Sequence, residues 1–170
     1  IIYSMVSDES WAMELLEGVE VPVVMLDRIA NSDKFMNLAL DNKKAGFLAA
    51  EHLISLGHTN IVCLTGPQKV RLSRDRSEGF LEALEKNGIR CGNGPTGEEC
   101  MVEGDFTFQC GLGFAEQLVG LNERPTAVWA QNDLMAAGVL KGLIKSGINV
   151  PEELSVLGMD NAEIPEMVHP

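Results

Sequence analysis

From residue 59 onward, short apolar runs alternate with segments of helical period. "NIVCLTG" is an apolar run closed by Gly66, and "RDRSEGFLEALEKNG" follows with Phe80, Leu81 and Leu84 on one stripe. Asn87-Gly88 predicts the end of that helix. A strand at "MVEG" precedes a helix from about Phe108 to Val119, and "TAVWA" is the next strand. "NDLMAAGVLKGLIKSG" reads as a helix opened by an Asn/Asp cap and closed by Gly147, after which "LSVLGM" is another apolar strand. Strands that are apolar throughout and separated by single helices indicate parallel βαβ units covered on both faces. The first 58 residues repeat this style with "VPVVMLD" and the helix "KKAGFLAAEHLISLG". The apolar opening "IIYSMV" needs strand neighbours on both sides, which predicts further sequence upstream.

In open parallel sheets ligands gather beyond the carboxyl ends of the strands. "VPVVMLD" exits to Asp27-Arg28 and "LALDN" to Asp41, while "NIVCLTGP" leads into the arginine loop "KVRLSRDRSEGF". "MVEG" exits to Asp105-Phe106, "TAVWA" to Gln131-Asn132-Asp133 and "LSVLGM" to Asp160-Asn161. A carboxylate, amide, aromatic or guanidinium after nearly every strand suits a cleft for a polar ligand. The bland alternative is that Asp and Asn cap the following helices, which is the better reading of Asp133. Arg76 falls one turn before Phe80, in the expected first turn of its helix, where a cation opposes the helix dipole. Either an ion pair with Asp75 or Glu78 or a ligand must offset that. Phe106, in an expected turn, either stacks on a ligand face or packs at a lobe edge.

Composition narrows the classes. A net charge of −12 and a pI near 4.6 argue against a nucleic-acid surface within these residues. No apolar run approaches the ~20 residues of a membrane span, and no signal peptide is visible. The four cysteines, Cys63, Cys91, Cys100 and Cys110, form no CxxC pair and stand at no zinc spacing from the three histidines. A Cys91–Cys100 bridge is open to the chain, but a reduced cytoplasmic protein is the expectation. "GLGFA" lies inside a helix and is no dinucleotide fingerprint, there is no P-loop or GxSxG, and no histidine is paired with a nucleophile. No catalytic residue, cofactor or metal site is therefore expected.

The segments "VPVVMLDR", "LDNKKAG", "AAEHLISLGHTNIVCLTGP", "RSEGFLEALEKNGI", "EGDFTFQCG", "RPTAVWAQNDLMAAGVL" and "VPEELSVLGMDN" together resemble the effector-binding core of the LacI/GalR family of bacterial transcription regulators. The resemblance implies a type I periplasmic-binding-protein-like α/β fold, with two doubly wound parallel-sheet lobes around a ligand cleft. It implies a partial N-terminal lobe at 1–58, a C-terminal lobe at 59–163 and the start of the crossover back at 164–170. A helix-turn-helix DNA-binding domain would lie outside this chain. The arginine of the family's "RxxGF" motif falls on Arg76, the aromatic of "GDF" on Phe106, the amide of "AND" on Asn132 and the acid of "GYD" on Asp160. The acid of "DN" falls on Asp41, and Arg71 is a second contact if the effector is anionic. Met159, where an aromatic is usual, and "CGLGF" depart from the family pattern. The implied protein is a cytoplasmic homodimeric repressor whose operator affinity responds to a sugar, sugar phosphate or purine. The alternative is a periplasmic sugar-binding protein of a transport system.

Overall fold

Strand β3, Ile61–Thr65, is buried along its whole length. It lies inside a four-stranded parallel sheet of order β4-β3-β5-β6, with β4 at Met101–Glu103, β5 at Ala127–Ala130 and β6 at Ser155–Leu157. The register sets Val62 opposite Val128 and Leu64 opposite Ala130. A computed structural model describes residues 16, 18–26, 33–89 and 100–161 of the chain.

Four helices cover this sheet: α1 (Asn42–Ser55), α2 (Arg71–Lys86), α3 (Phe108–Val119) and α4 (Asp133–Lys145). Alternate strand residues feed two separate cores, as the two-residue period of a strand requires. Ile61, Cys63, Ala127 and Trp129 pack with Ala50 and Leu53 of α1 and with Phe80, Ala83 and Leu84 of α2. Val62, Leu64, Val128 and Ala130 pack instead with Phe114 and Leu118 of α3 and with Met135, Val139 and Leu143 of α4. Trp129 and Phe80 stack with ring centroids 5.2 Å apart.

Each helix pair crosses on glycine. A Cβ on Gly46 of α1 would strike the carbonyl oxygen of Arg76 on α2, and a Cβ on Gly79 of α2 would strike that of Lys43 on α1. The other face repeats the device, with Gly111 against the Met135 carbonyl and Gly138 against that of Phe108. Backbones this close leave no volume for a methyl group, so the crossing distance is set by the glycines themselves.

The chain divides into two compact units, residues 1–41 and 42–170. Within the first, β1 (Val24–Leu26) and β2 (Met36–Leu38) pair in parallel, and Leu16, Val23, Met25 and Phe35 form a small core. The boundary expected at 58/59 lies inside the second unit, because α1 packs along α2 and supplies Ala50 and Leu53 to its core. The thiols also differ from expectation. Cys63 and Cys110 are free, but Cys100, buried immediately before β4, is disulfide-bonded. The expectation of four reduced cysteines is corrected accordingly, and Cys91 lies outside the described residues, as do "IIYSMV", Asp27-Arg28 and the 164–170 crossover.

Candidate functional site

After β3 the chain turns through α2 to β4 on one side, and after β5 it turns through α4 to β6 on the other. The carboxyl ends of β3 and β5 therefore flank the point where the winding reverses, the place at which open α/β sheets form a crevice. Gln131, the residue after β5, occupies this junction and is fully buried. Its Oε1 accepts from the Gly66 N–H at 2.9 Å. Its Nε2 donates to Ser77 Oγ at 3.0 Å and to the Ser73 carbonyl at 3.3 Å. Its own N–H donates to the Leu64 carbonyl at 3.0 Å. Only an amide offers an acceptor and two donors in one neutral group, which is what this junction uses. The sequence reading passed over Gln131 as a candidate; the signal was a carboxamide directly after an all-apolar strand.

Helix α2 starts at Arg71, after Val70, which supplies no side-chain cap. Arg76 thus stands in the second turn rather than the first, a correction to the expected helix start. The dipole opposition anticipated for it applies to Arg71 and Arg74 instead. Arg71 is exposed and pairs with Asp75 one turn on, at 3.5 Å, and Arg74 donates to the Gln68 carbonyl at 2.8 Å.

Arg76 is 6% exposed. Nε donates to Asn42 Oδ1 at 2.9 Å and Nη1 to the Gln131 carbonyl at 2.5 Å. Nη2 lies 3.7 Å from Asp160 Oδ1, whose side chain is 44% exposed. A buried guanidinium is tolerated only with its charge matched and its N–H groups engaged; Asp160 matches the charge, and Asn42 and the Gln131 carbonyl bond two of its nitrogens. Asp160 and Asn161 hold positive φ, 99° and 53°, in the turn that leaves β6. The structure thus brings together an arginine and an acid 84 positions apart (160 − 76).

The β4 exit adds an aromatic. Asp105 accepts from the Thr107 N–H at 2.9 Å and from its hydroxyl at 2.7 Å, and these bonds hold the Asp105 carboxyl below its ordinary pKa. Thr107 in turn caps α3, accepting from the Cys110 N–H at 3.1 Å. Between them Phe106 takes φ 67°. Its half-buried ring lies over Gly66, where an added Cβ would meet both the ring and Ser73 Oγ, and it packs against the α3–α4 core. Its carbonyl accepts from Asn132 Nδ2 at 2.9 Å, while Asn132 Oδ1 caps α4 by accepting from the Met135 N–H at 2.9 Å. Asn132 therefore ties the β4 and β5 exits together, and it, rather than Asp133, is the cap.

Arg76, Phe106, Asn132 and Asp160 lie at the carboxyl ends of the sheet, linked through Gln131 and Gly66. Arg71 stands apart on the outer side of α2's first turn. Asp41 is exposed and closes the first unit, whereas the other five candidates lie in the second. Burial pushes the Cys63 thiol far up, against a weaker opposing effect of the Gln131 amide. Among the described residues no group of three or more His, Cys, Asp or Glu could hold a metal ion. Nor is any described helix long and apolar enough to cross a membrane.

A profile of periplasmic binding protein-like domains matches residues 50–170. The HTH-type transcriptional repressor CytR of Escherichia coli K12 is 34% identical over 149 residues, covering 88% of this chain and 42% of that protein. Catabolite control protein A of Priestia megaterium is 33% identical over 159 residues, 93% of this chain and 46% of its own. The chain thus spans under half the length of these curated relatives. Among solved structures, a sugar-binding LacI-family transcriptional regulator from Escherichia coli complexed with phosphate has a TM-score of 0.81 at 29% identity. That similarity covers 98% of this chain and 58% of the other.

Proposed function

The chain belongs to the family of periplasmic binding protein-like domains, in the form carried by LacI-family transcriptional regulators, and from that premise we propose that it senses a small sugar-like effector and controls operator binding by a DNA-binding domain of the same protein. The complete effector domain is read as two doubly wound lobes, acting as a cytoplasmic homodimer. Its relatives are transcriptional regulators, not enzymes.

The observation that carries this reading is the Arg76–Asp160 pair at the point where the sheet's winding reverses. The guanidinium is buried and fixed by Asn42 and Gln131, while the carboxylate keeps an exposed edge. A ligand hydroxyl can thus bond an oriented acceptor without paying to order it. Phe106 supplies an apolar face beside it. Effector occupancy would then shift a two-state equilibrium of the regulator, with a coupling of about 1–3 kcal/mol between effector and DNA.

The test is a thermal-shift screen of the full-length protein against sugars, sugar phosphates and purines, followed by an operator mobility shift. A true effector at a hundredfold excess over its Kd adds about 2.7 kcal/mol of stability and changes operator affinity. A protein that no compound stabilises, and whose DNA binding none alters, is not this sensor.

A further inference from the structure

Ser73 is fully buried in the first turn of α2, and its hydroxyl has no hydrogen-bond partner among the described residues. The rest of the residue is well held: its N–H donates to the Val70 carbonyl at 3.1 Å and its carbonyl accepts from Gln131 Nε2 at 3.3 Å. The hydroxyl is therefore not astray in a loose loop. It is aimed at the space over Gly66, at the carboxyl end of β3, where its neighbour is the ring of Phe106. A buried hydroxyl without a partner costs about 1–3 kcal/mol, and an alanine here would avoid that cost. Phe106 itself sits at φ 67°, a backbone region that bulky side chains seldom occupy.

We propose that Ser73 is a specificity-determining contact of the effector site, covered by the Phe106 ring when the site is empty and paired by a polar group of the effector once that ring moves aside. The inference rests on the sensor reading above. The ring fills the seat over Gly66, so ligand entry and ring displacement are one event. The displaced aromatic then gives its face to the ligand, and the ligand gives Ser73 the partner it lacks. The group that pairs Ser73 is uncharged, a hydroxyl or a ring nitrogen, because the cation nearest the junction, Arg76, already has its carboxylate in Asp160. A neutral sugar or nucleoside has this chemistry.

The experiment uses the full-length protein with D-glucose, D-ribose, adenosine and cytidine as probes, in calorimetry and thermal melts of the parent and Ser73→Ala. The expected result is an unliganded Tm unchanged or raised in S73A, with affinity for the bound probe weakened about tenfold. A Tm lowered by several degrees would mean that the hydroxyl is partnered in the empty protein, and overturns the proposal. Equal probe affinity in parent and variant removes Ser73 from the site and leaves the sensor reading standing. If the parent binds none of the four while D-ribose 5-phosphate, run beside them as the charged probe, binds, the neutral seat is wrong but the sensor is not. If neither class binds, both fall together.

Discussion

Gly46 of α1 rests against the carbonyl oxygen of Arg76, so the helix that carries the buried guanidinium is held at backbone distance from the helix that begins with its partner Asn42. A methyl group at position 46 has nowhere to go, and the atom in its path is main chain. Gly46→Ala should destabilise the protein by about 1–3 kcal/mol, the usual cost of overpacking. Urea denaturation measures this, and an unchanged midpoint would refute the close crossing. Because Asn42 moves with α1, the same variant should also loosen effector binding.

Arg76→Ala leaves the Gln131 carbonyl, Asn42 and Asp160 without their common donor. Effector affinity should fall by roughly 1.5–3 kcal/mol, as for a hydrogen bond to a charged group. Arg76→Lys should not restore it, since an ammonium cannot bond three partners arranged around a planar fork. Calorimetry that finds the lysine variant equal to the parent would contradict that geometry.

Asp105 has a folded-state pKa below its ordinary value, held there by the Thr107 hydroxyl first and the Thr107 N–H second. A depressed carboxyl contributes stability that is complete above its unfolded pKa and is lost as pH falls through the folded one. The window therefore lies at and below about pH 4. Melting temperatures of Asp105→Asn should fall less steeply than the parent's between about pH 4 and 2.5; parallel curves would count against the Asp105–Thr107 pair.

Cys63 and Cys110 should differ in reactivity. Cys63 is fully buried within β3 and burial drives its thiol far up, whereas Cys110 is half-exposed and raised chiefly by partial burial. A neutral thiol reacts slowly with alkylating agents, and a buried one must wait for local opening. Native alkylation followed by mass mapping should label Cys110 well before Cys63.

The sequence marked the parts of this fold that depend on local chemistry. The helix from Phe108 to Val119 begins and ends where expected, and α4 opens at the Asn/Asp pair after "TAVWA", although the cap is Asn132 and not Asp133, which the sequence favoured. Gly88, at φ 64°, ends α2 as the Asn-Gly pair indicated. The start of α2 was not legible, because Val70 is no cap and "RLSR" has the polarity of a loop. The allegiance of α1 was equally hidden: it depends on Gly46 and Gly79 meeting across two helices, a tertiary fact with no local signature. At the site, Arg76 and Asp160 were each marked as strand-exit candidates, but the expected partners of Arg76 were Asp75, Glu78 or a ligand, and its pairing with Asp160 was not anticipated. Nor were the burial of Gln131 and the isolation of the Ser73 hydroxyl, since both follow from what the β3 and β5 exits do to each other.

That the junction of β3, β5 and α2 is held by a carboxamide has a physiological corollary. Gln131 neither gains nor loses a proton at any pH a cell meets, and its bonds do not weaken with salt as exposed ion pairs do. A fastening of this kind is indifferent to acid stress and osmotic upshift. Under the proposed function, it would leave the concentration of the effector as the variable to which the carboxamide's side of the junction answers.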